Sequence, residues 1–302
     1  MTLGYDGRLY ILAFDHRGSF KRMFGVGSDP TEEETQRLQS AKQLVWSGVQ
    51  RAIDEGAPKD SVGVLVDEEM GSAVAREAKE AGVKLAMPVE ASGQPVFDFE
   101  YGDEFGKHIE DFDPDFSKVL VRWNPADSDE DKETQGRRLS QLGDWLHDHG
   151  RKFLFELLVP ASEAQLALVG GDTDAYDTEV RPHLTLEAIR EILDAGVEPD
   201  IWKIEGLDRA RSCELLSGLV RSDGRDGVVA VVLGRGADDA KVDHWLKTGA
   251  PVTGYSGFAI GRSIWSSEVK AWNDGDLDED EATAGIAANY KRFIDVYESA
   301  ST

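Results

Sequence analysis

The chain has 302 residues, with 58 Asp plus Glu against 33 Lys plus Arg and a formal net charge of −25. That excess argues against a nucleic-acid partner and against an anionic membrane surface, both of which need clustered Lys and Arg. With 40% hydrophobic and 9% aromatic residues the chain can bury a full core and is not a disordered acidic polymer.

Short apolar runs recur, each followed by turn residues and a helical pattern. The first run covers 9–14, and Thr31 with Glu34 reads as a capping box opening a helix to Asp54. Further runs cover 62–66, 83–88 and 118–123, and 129–149 has Leu139, Leu142, Trp145 and Leu146 at helical spacing. After the run at 153–159, residues 160–182 contain Gly170-Gly171 and polar residues and read as a long insertion. Such insertions serve as lids or subunit contacts. A helix over 185–195 precedes the last three runs, at 201–204, 228–233 and 254–260. An acidic linker over 274–281 leads into a helical tail at about 279–298. Strands alternating with helices imply a parallel sheet, and eight units favour a closed (β/α)8 barrel, a TIM barrel in one domain spanning 1–302. No Gly-x-Gly-x-x-Gly follows the first run, which weakens a dinucleotide-binding alternative.

Barrel active sites form at the C-terminal strand ends. Here those ends carry Asp15-His16-Arg17-Gly18, Asp67-Glu68-Glu69, Lys118 with Arg122, Glu156, Lys203 with Glu205, Gly234-Arg235-Gly236 and Gly261-Arg262-Ser263. Lys203 stands within an apolar run, where a lone ammonium carries a large desolvation cost. Either it pairs with a buried carboxylate or it gives up its proton and serves as a nucleophilic amine. An outward-facing structural lysine is the plainer alternative. Strand side chains alternate, so Lys118, Leu120 and Arg122 share a face, as do Leu154, Glu156 and Leu158. With that face inward, Lys118, Glu156 and Lys203 converge: a second cation favours one neutral amine, and the carboxylate shuttles protons. Asp15, His16, Arg17 and Asp67 are candidate substrate contacts, and Arg122, nearer the rim, suits an anionic tail. Gly234, Arg235, Ser256, Gly257, Gly261 and Arg262 offer close backbone approach with cationic side chains, which suits a phosphate. The alternative is that these glycines serve only tight turns.

The six histidines are scattered, and no converging zinc set stands at the strand ends. Asp15 and Asp67 leave a magnesium alternative open, while the acidic run 276–281 lacks calcium-loop spacing. No metal or cofactor is expected. Cys213 is the only cysteine, so no intrachain disulfide forms. Residues 1–7 hold no signal-length apolar run, and a cytoplasmic protein is expected. The acidic surface leaves a high-salt source open.

Ala13-Phe14-Asp15-His16-Arg17-Gly18 resembles the first-strand signature of the class I tagatose-bisphosphate aldolase family, which has Gln where His16 stands. Trp202-Lys203-Ile204-Glu205 resembles that family's Schiff-base strand, Lys118-Val119-Leu120 its second lysine and Phe155-Glu156 its glutamate strand. Gly257-Phe258-Ala259-Ile260-Gly261-Arg262-Ser263-Ile264 is closer still to the DUF2090-like aldolase domain often fused to 5-dehydro-2-deoxygluconokinase in myo-inositol breakdown. Residues 122–125, Arg-Trp-Asn-Pro, depart from the tyrosine-rich stretch of the tagatose enzymes. The resemblance implies an iminium on Lys203, proton transfer by Glu156 and an electrostatic role for Lys118. It also implies hydroxyl contacts by Asp15, and phosphate held by Gly234, Gly261 and Arg262. The implied reaction cleaves 2-deoxy-5-keto-D-gluconate 6-phosphate to dihydroxyacetone phosphate and malonic semialdehyde. Sulfofructose-phosphate or tagatose-bisphosphate cleavage, a magnesium-dependent lyase using Asp67 and Glu68, and an inactive sugar-phosphate sensor remain alternatives. The expected partner is a small phosphorylated sugar, and a homo-oligomer is expected.

Overall fold

The computed structural model describes residues 2–301, so Met1 and Thr302, the ends of the expected domain, lie outside the described residues. Eight parallel strands close in sequence order into a barrel. They are β1 (Leu9–Ala13), β2 (Val62–Leu65), β3 (Lys84–Pro88), β4 (Phe116–Arg122), β5 (Lys152–Leu158), β6 (Ile201–Glu205), β7 (Val229–Leu233) and β8 (Tyr255–Ile260). Each matches an expected apolar run to within a residue or two, because a strand buried on both faces reads as continuous hydrophobicity.

Alternation along these strands sorts the core into two parts. Leu9, Ile11, Leu65, Phe116, Leu154, Ile201, Val229 and Val231 fill the lower interior of the barrel. Their outward neighbours, among them Leu12, Val64, Val119, Phe155, Trp202 and Phe258, pack under the surrounding helices. Each such side chain contributes about 1.5–3 kcal/mol when fully buried. Tyr5 closes the bottom edge-on against Phe116, ring centroids 5.4 Å apart. Beside it, buried Asp200 accepts hydrogen bonds from the Gly4 and Phe153 amides at 2.8 and 2.9 Å and from Lys152 at 2.8 Å. With its lower half packed, the barrel has room for polar side chains only at the C-terminal ends of its strands.

The helix Glu32–Asp54 has the expected capping box between Thr31 and Glu34. It packs against the last helix, Glu279–Ala300, where a Cβ added to Gly48 would come within 2.4 Å of Ile286. That closeness explains a glycine inside a long helix despite its propensity cost. The acidic linker is shorter than expected: helix Arg262–Asp274 ends at left-handed Gly275, and Asp278 already caps the next helix in a box with Glu281. The 160–182 insertion is largely helical. It contains Glu163–Leu168, Thr173–Ala175 and a π turn Tyr176–Val180 running into Arg181–Asp194. A third capping box, Ser162 with Gln165, starts it. The insertion is tied down by Tyr176 Oη donating to the Val159 carbonyl (2.9 Å) and Arg181 donating to the Gly206 carbonyl (2.9 Å). No helix among the described residues is long and apolar enough to cross a membrane.

Candidate active site

A cavity of about 410 Å³ opens at the C-terminal end of the barrel, lined by Ala13, Asp15, His16, Lys118, Leu120, Glu156, Leu158, Lys203 and Ala259 among others. That volume is within the range of small-molecule sites. Residues of β4, β5 and β6 reach it through the strand register, which pairs Leu120 with Glu156 and Glu156 with Lys203.

On the cavity floor, Glu156 Oε2 lies 2.9 Å from Lys203 Nζ and 3.1 Å from Lys118 Nζ. Lys118 also donates to Asp15 Oδ2 at 2.9 Å and to Glu90 Oε1 at 2.8 Å. The Lys118 and Lys203 side chains are only 1% and 3% exposed, so their pairing is not diluted by solvent. Burial by itself would lower the pKa of Lys118, but Asp15, Glu156 and Glu90 raise it above that of an ordinary lysine. Lys118 is therefore a fixed cation. Burial pushes the Asp15 carboxyl up, yet Lys118 and Lys203 hold it well below the usual carboxylate range. Glu156 is likewise lowered by both lysines against the opposing effect of burial. Glu90 goes the other way: desolvation dominates and raises it, despite Lys118 and Arg17.

The rim is cationic. Arg22, Arg122 and Arg262 line the cavity, and none has a carboxylate partner among the described residues. Arg262 opens helix Arg262–Asp274 after Gly261 and lies over Gly236, so a charged side chain and a helix N-terminus share one corner. Arg122 stands across the mouth and donates to the Gln94 carbonyl at 3.2 Å.

A family model described as "Uncharacterized protein conserved in bacteria (DUF2090)" matches residues 5–301. The chain belongs to that family. Among solved structures it is similar to fructose-bisphosphate aldolase from Plasmodium falciparum, in complex with TRAP and a small-molecule inhibitor. That likeness has a TM-score of 0.66 at 12% identity and covers 97% of this chain and 91% of the other. At such identity what is shared is the barrel fold.

This DUF2090 barrel brings Lys118, Glu156, Lys203 and Asp15 together but not every other residue the sequence pointed to. Asp67 is fully buried outside the cavity, where it pairs with Lys42 and caps helix Glu68–Glu80 by accepting from the Met70 amide at 2.8 Å. Its carboxylate is occupied, so the expected substrate contact is corrected to a structural pair. Ser256 and Gly257 are corrected too: both stand near the start of β8 and neither lines the cavity. Gly257 pairs with Leu9 at the start of β1, below the rim, and a Cβ there would lie 1.9 Å from the Leu9 carbonyl. Its φ of 147° also favours glycine, so this position serves strand packing. Gly234 packs against Ile260 and is absent from the lining, whereas Gly261 belongs to it. Arg235 lines the cavity, but its guanidinium is held by Asp177 and by Glu205 at 3.0 Å.

Arg17 also lines the cavity. Its guanidinium donates to Glu100 at 2.9 Å and to the Glu90 carbonyl at 2.8 Å, so it braces the loop after β3. His16 is in the wall against Trp265, and desolvation pushes it down to about 4 despite Asp15. It is therefore a neutral imidazole near pH 7. Among the described residues no three His, Cys, Asp or Glu side chains group to hold a metal ion. Sequence reasoning passed over Glu90, Arg22 and Lys42. Glu90 follows Pro88-Val89 in what reads as a turn, though a carboxylate just past the third strand was a signal.

Proposed function

We propose that this protein is a class I aldolase that cleaves a phosphorylated keto sugar acid through a Schiff base on Lys203. The observation that carries the reading is the state of Lys203 itself. It is buried and faces the cavity, and its sole hydrogen-bond partner among the described residues is Glu156. Glu156 is placed to take the proton that leaves the amine before it attacks a ketone. Lys118 lies 3.1 Å from the same Glu156 oxygen, so a fixed positive charge stays beside the carboxylate while Lys203 acts as the nucleophile. An iminium draws in the electrons of the breaking carbon–carbon bond better than a ketone does. Asp15, held anionic by Lys118, is an acceptor for a substrate hydroxyl.

Two separated cationic corners favour a substrate charged at both ends. Arg262 with Gly261 and the helix N-terminus suits a phosphate, and Arg122 across the mouth suits a carboxylate. Remote binding of both ends positions the scissile bond between them. This supports 2-deoxy-5-keto-D-gluconate 6-phosphate, cleaved to dihydroxyacetone phosphate and malonic semialdehyde, as the substrate. The role suits a cytoplasmic enzyme of carbohydrate breakdown, since phosphorylated sugars are retained there. The test is turnover of this compound against tagatose 1,6-bisphosphate and sulfofructose 1-phosphate, with Arg122→Ala alongside. Preference for the sugar acid that falls in Arg122→Ala supports the assignment; equal turnover of all three by both enzymes overturns it.

A further inference from the structure

Glu90 stands apart from the other carboxylates around Lys118. Its Oε1 accepts from Lys118 at 2.8 Å and lies 3.4 Å from Arg17 Nη2, while its Oε2 is buried with no hydrogen-bond partner. The residue is 6% exposed and lines the cavity. A buried polar atom without a partner is costly, and a catalytic role is one of the few reasons to keep one. Nor is the side chain loosely held. Glu90 pairs antiparallel with Phe99, Arg17 donates to its carbonyl, and the Glu100 amide donates to the Val89 carbonyl at 3.0 Å.

We propose that Glu90, a lining residue of the cavity, is the acid–base residue of the carbon–carbon step, its carboxylate taking the proton of the substrate carbinol as the bond breaks. This rests on the Schiff-base reading of Lys203. In cleavage the carbinol proton passes to Glu90 and the O–H electron pair becomes the aldehyde carbonyl. The electrons of the carbon–carbon bond move into the iminium and leave a neutral enamine on Lys203. In condensation every transfer reverses, and Glu90 protonates the new alkoxide.

Charge balance favours this assignment. When the iminium becomes an enamine, one positive charge vanishes at Lys203. When Glu90 takes the proton, one negative charge vanishes a short distance away. The buried cluster keeps its net charge through the step, which avoids creating an uncompensated charge out of water. Glu156 is less suited, because its Oε2 already accepts from Lys203 and lies 3.1 Å from the Lys118 ammonium. Asp15 is less suited because Lys118 and Lys203 keep its carboxyl ionised against the pull of burial. Glu90, facing Lys118, Arg17 and Asp15, is the carboxyl that burial inclines to hold a proton. Glu156 then serves formation and hydrolysis of the iminium, and the two glutamates divide the proton transfers.

The experiment separates the half-reaction from the full one in wild type, Glu90→Gln and Glu90→Asp, each checked for an unchanged thermal melt. The half-reaction is borohydride trapping of dihydroxyacetone phosphate and exchange of its C3 hydrogen with solvent. The full reaction is its condensation with malonic semialdehyde. In Glu90→Gln we expect trapping and exchange to persist while condensation falls by about 10²–10⁴-fold, with Glu90→Asp recovering part of it. Condensation by Glu90→Gln at the wild-type rate overturns the proposal. So does loss of trapping together with condensation in a folded protein. Failure of the wild type itself to trap the ketone removes the Schiff-base reading, and this proposal with it.

Discussion

Two buried lysine–carboxylate pairs lie at the same end of the barrel, and they differ in what else each lysine touches. Lys42, fully buried between the barrel and helix Glu32–Asp54, donates to Asp67, to the Phe14 carbonyl and to the His16 carbonyl at 3.0 Å. All three of its N–H groups are used. Asp67 in turn accepts from the Met70 amide. Among the described residues Lys203 has Glu156 alone as hydrogen-bond partner, with a cavity in front of it. A saturated pair fixes structure, and an unsaturated one facing a cavity is free for chemistry. Burial and charge alone do not separate them; the unused donors do.

Substitutions break the two pairs in opposite ways. Lys203→Met should abolish turnover and trapping, while the melt barely moves because Glu156 keeps Lys118 as a partner. A folded Lys203→Met that still cleaves substrate sinks the covalent mechanism. Glu156→Gln should keep the fold and slow turnover by about 10²–10⁴-fold, measured as kcat. Lys42→Met leaves Asp67 charged and unpaired, so denaturant titration should show a loss of about 3–5 kcal/mol. The fraction still folded should trap ketone as before. Arg262→Ala should weaken substrate binding by about 1.5–3 kcal/mol, read as KM, with the trapped lysine unchanged.

The smallest effect concerns pH. The folded His16 is pushed down to about 4 from an ordinary 6.5, so between those values the unfolded chain binds a proton that the folded chain refuses. Stability attributable to His16 is thus full above about 6.5 and declines as pH falls to about 4. His16→Gln should flatten that part of the acid limb in melts taken across this window. An unchanged limb refutes the assignment.

Much of this was legible in the sequence, and the failures have physical reasons. All eight strands showed because buried parallel strands are nearly uniform in apolar residues. Alternation with a register of paired neighbours brought Lys118, Glu156 and Lys203 to one face. Strand ends alone do not say which polar residue turns inward, so Asp67 reads as a substrate contact although its spacing to Met70 is that of a helix cap. Ser256 and Gly257 failed for want of height along β8, which depends on pairing with β1. Lys42 was hidden in an amphipathic helix, where a lysine beside Leu38, Ala41 and Val45 passes for a solvated one. The insertion was legible from its glycines and polar residues but its helices were not, though Ser162 and Gln165 carried the helix signal.

The most direct test of the central claim is borohydride reduction in the presence of dihydroxyacetone phosphate, followed by peptide mapping of the modified lysine. The account predicts a stable adduct on Lys203 alone, with Lys118 and Lys42 unmodified, and the same yield after treatment with a chelator. An adduct on either other lysine, or none from a folded protein that turns over substrate, would contradict it.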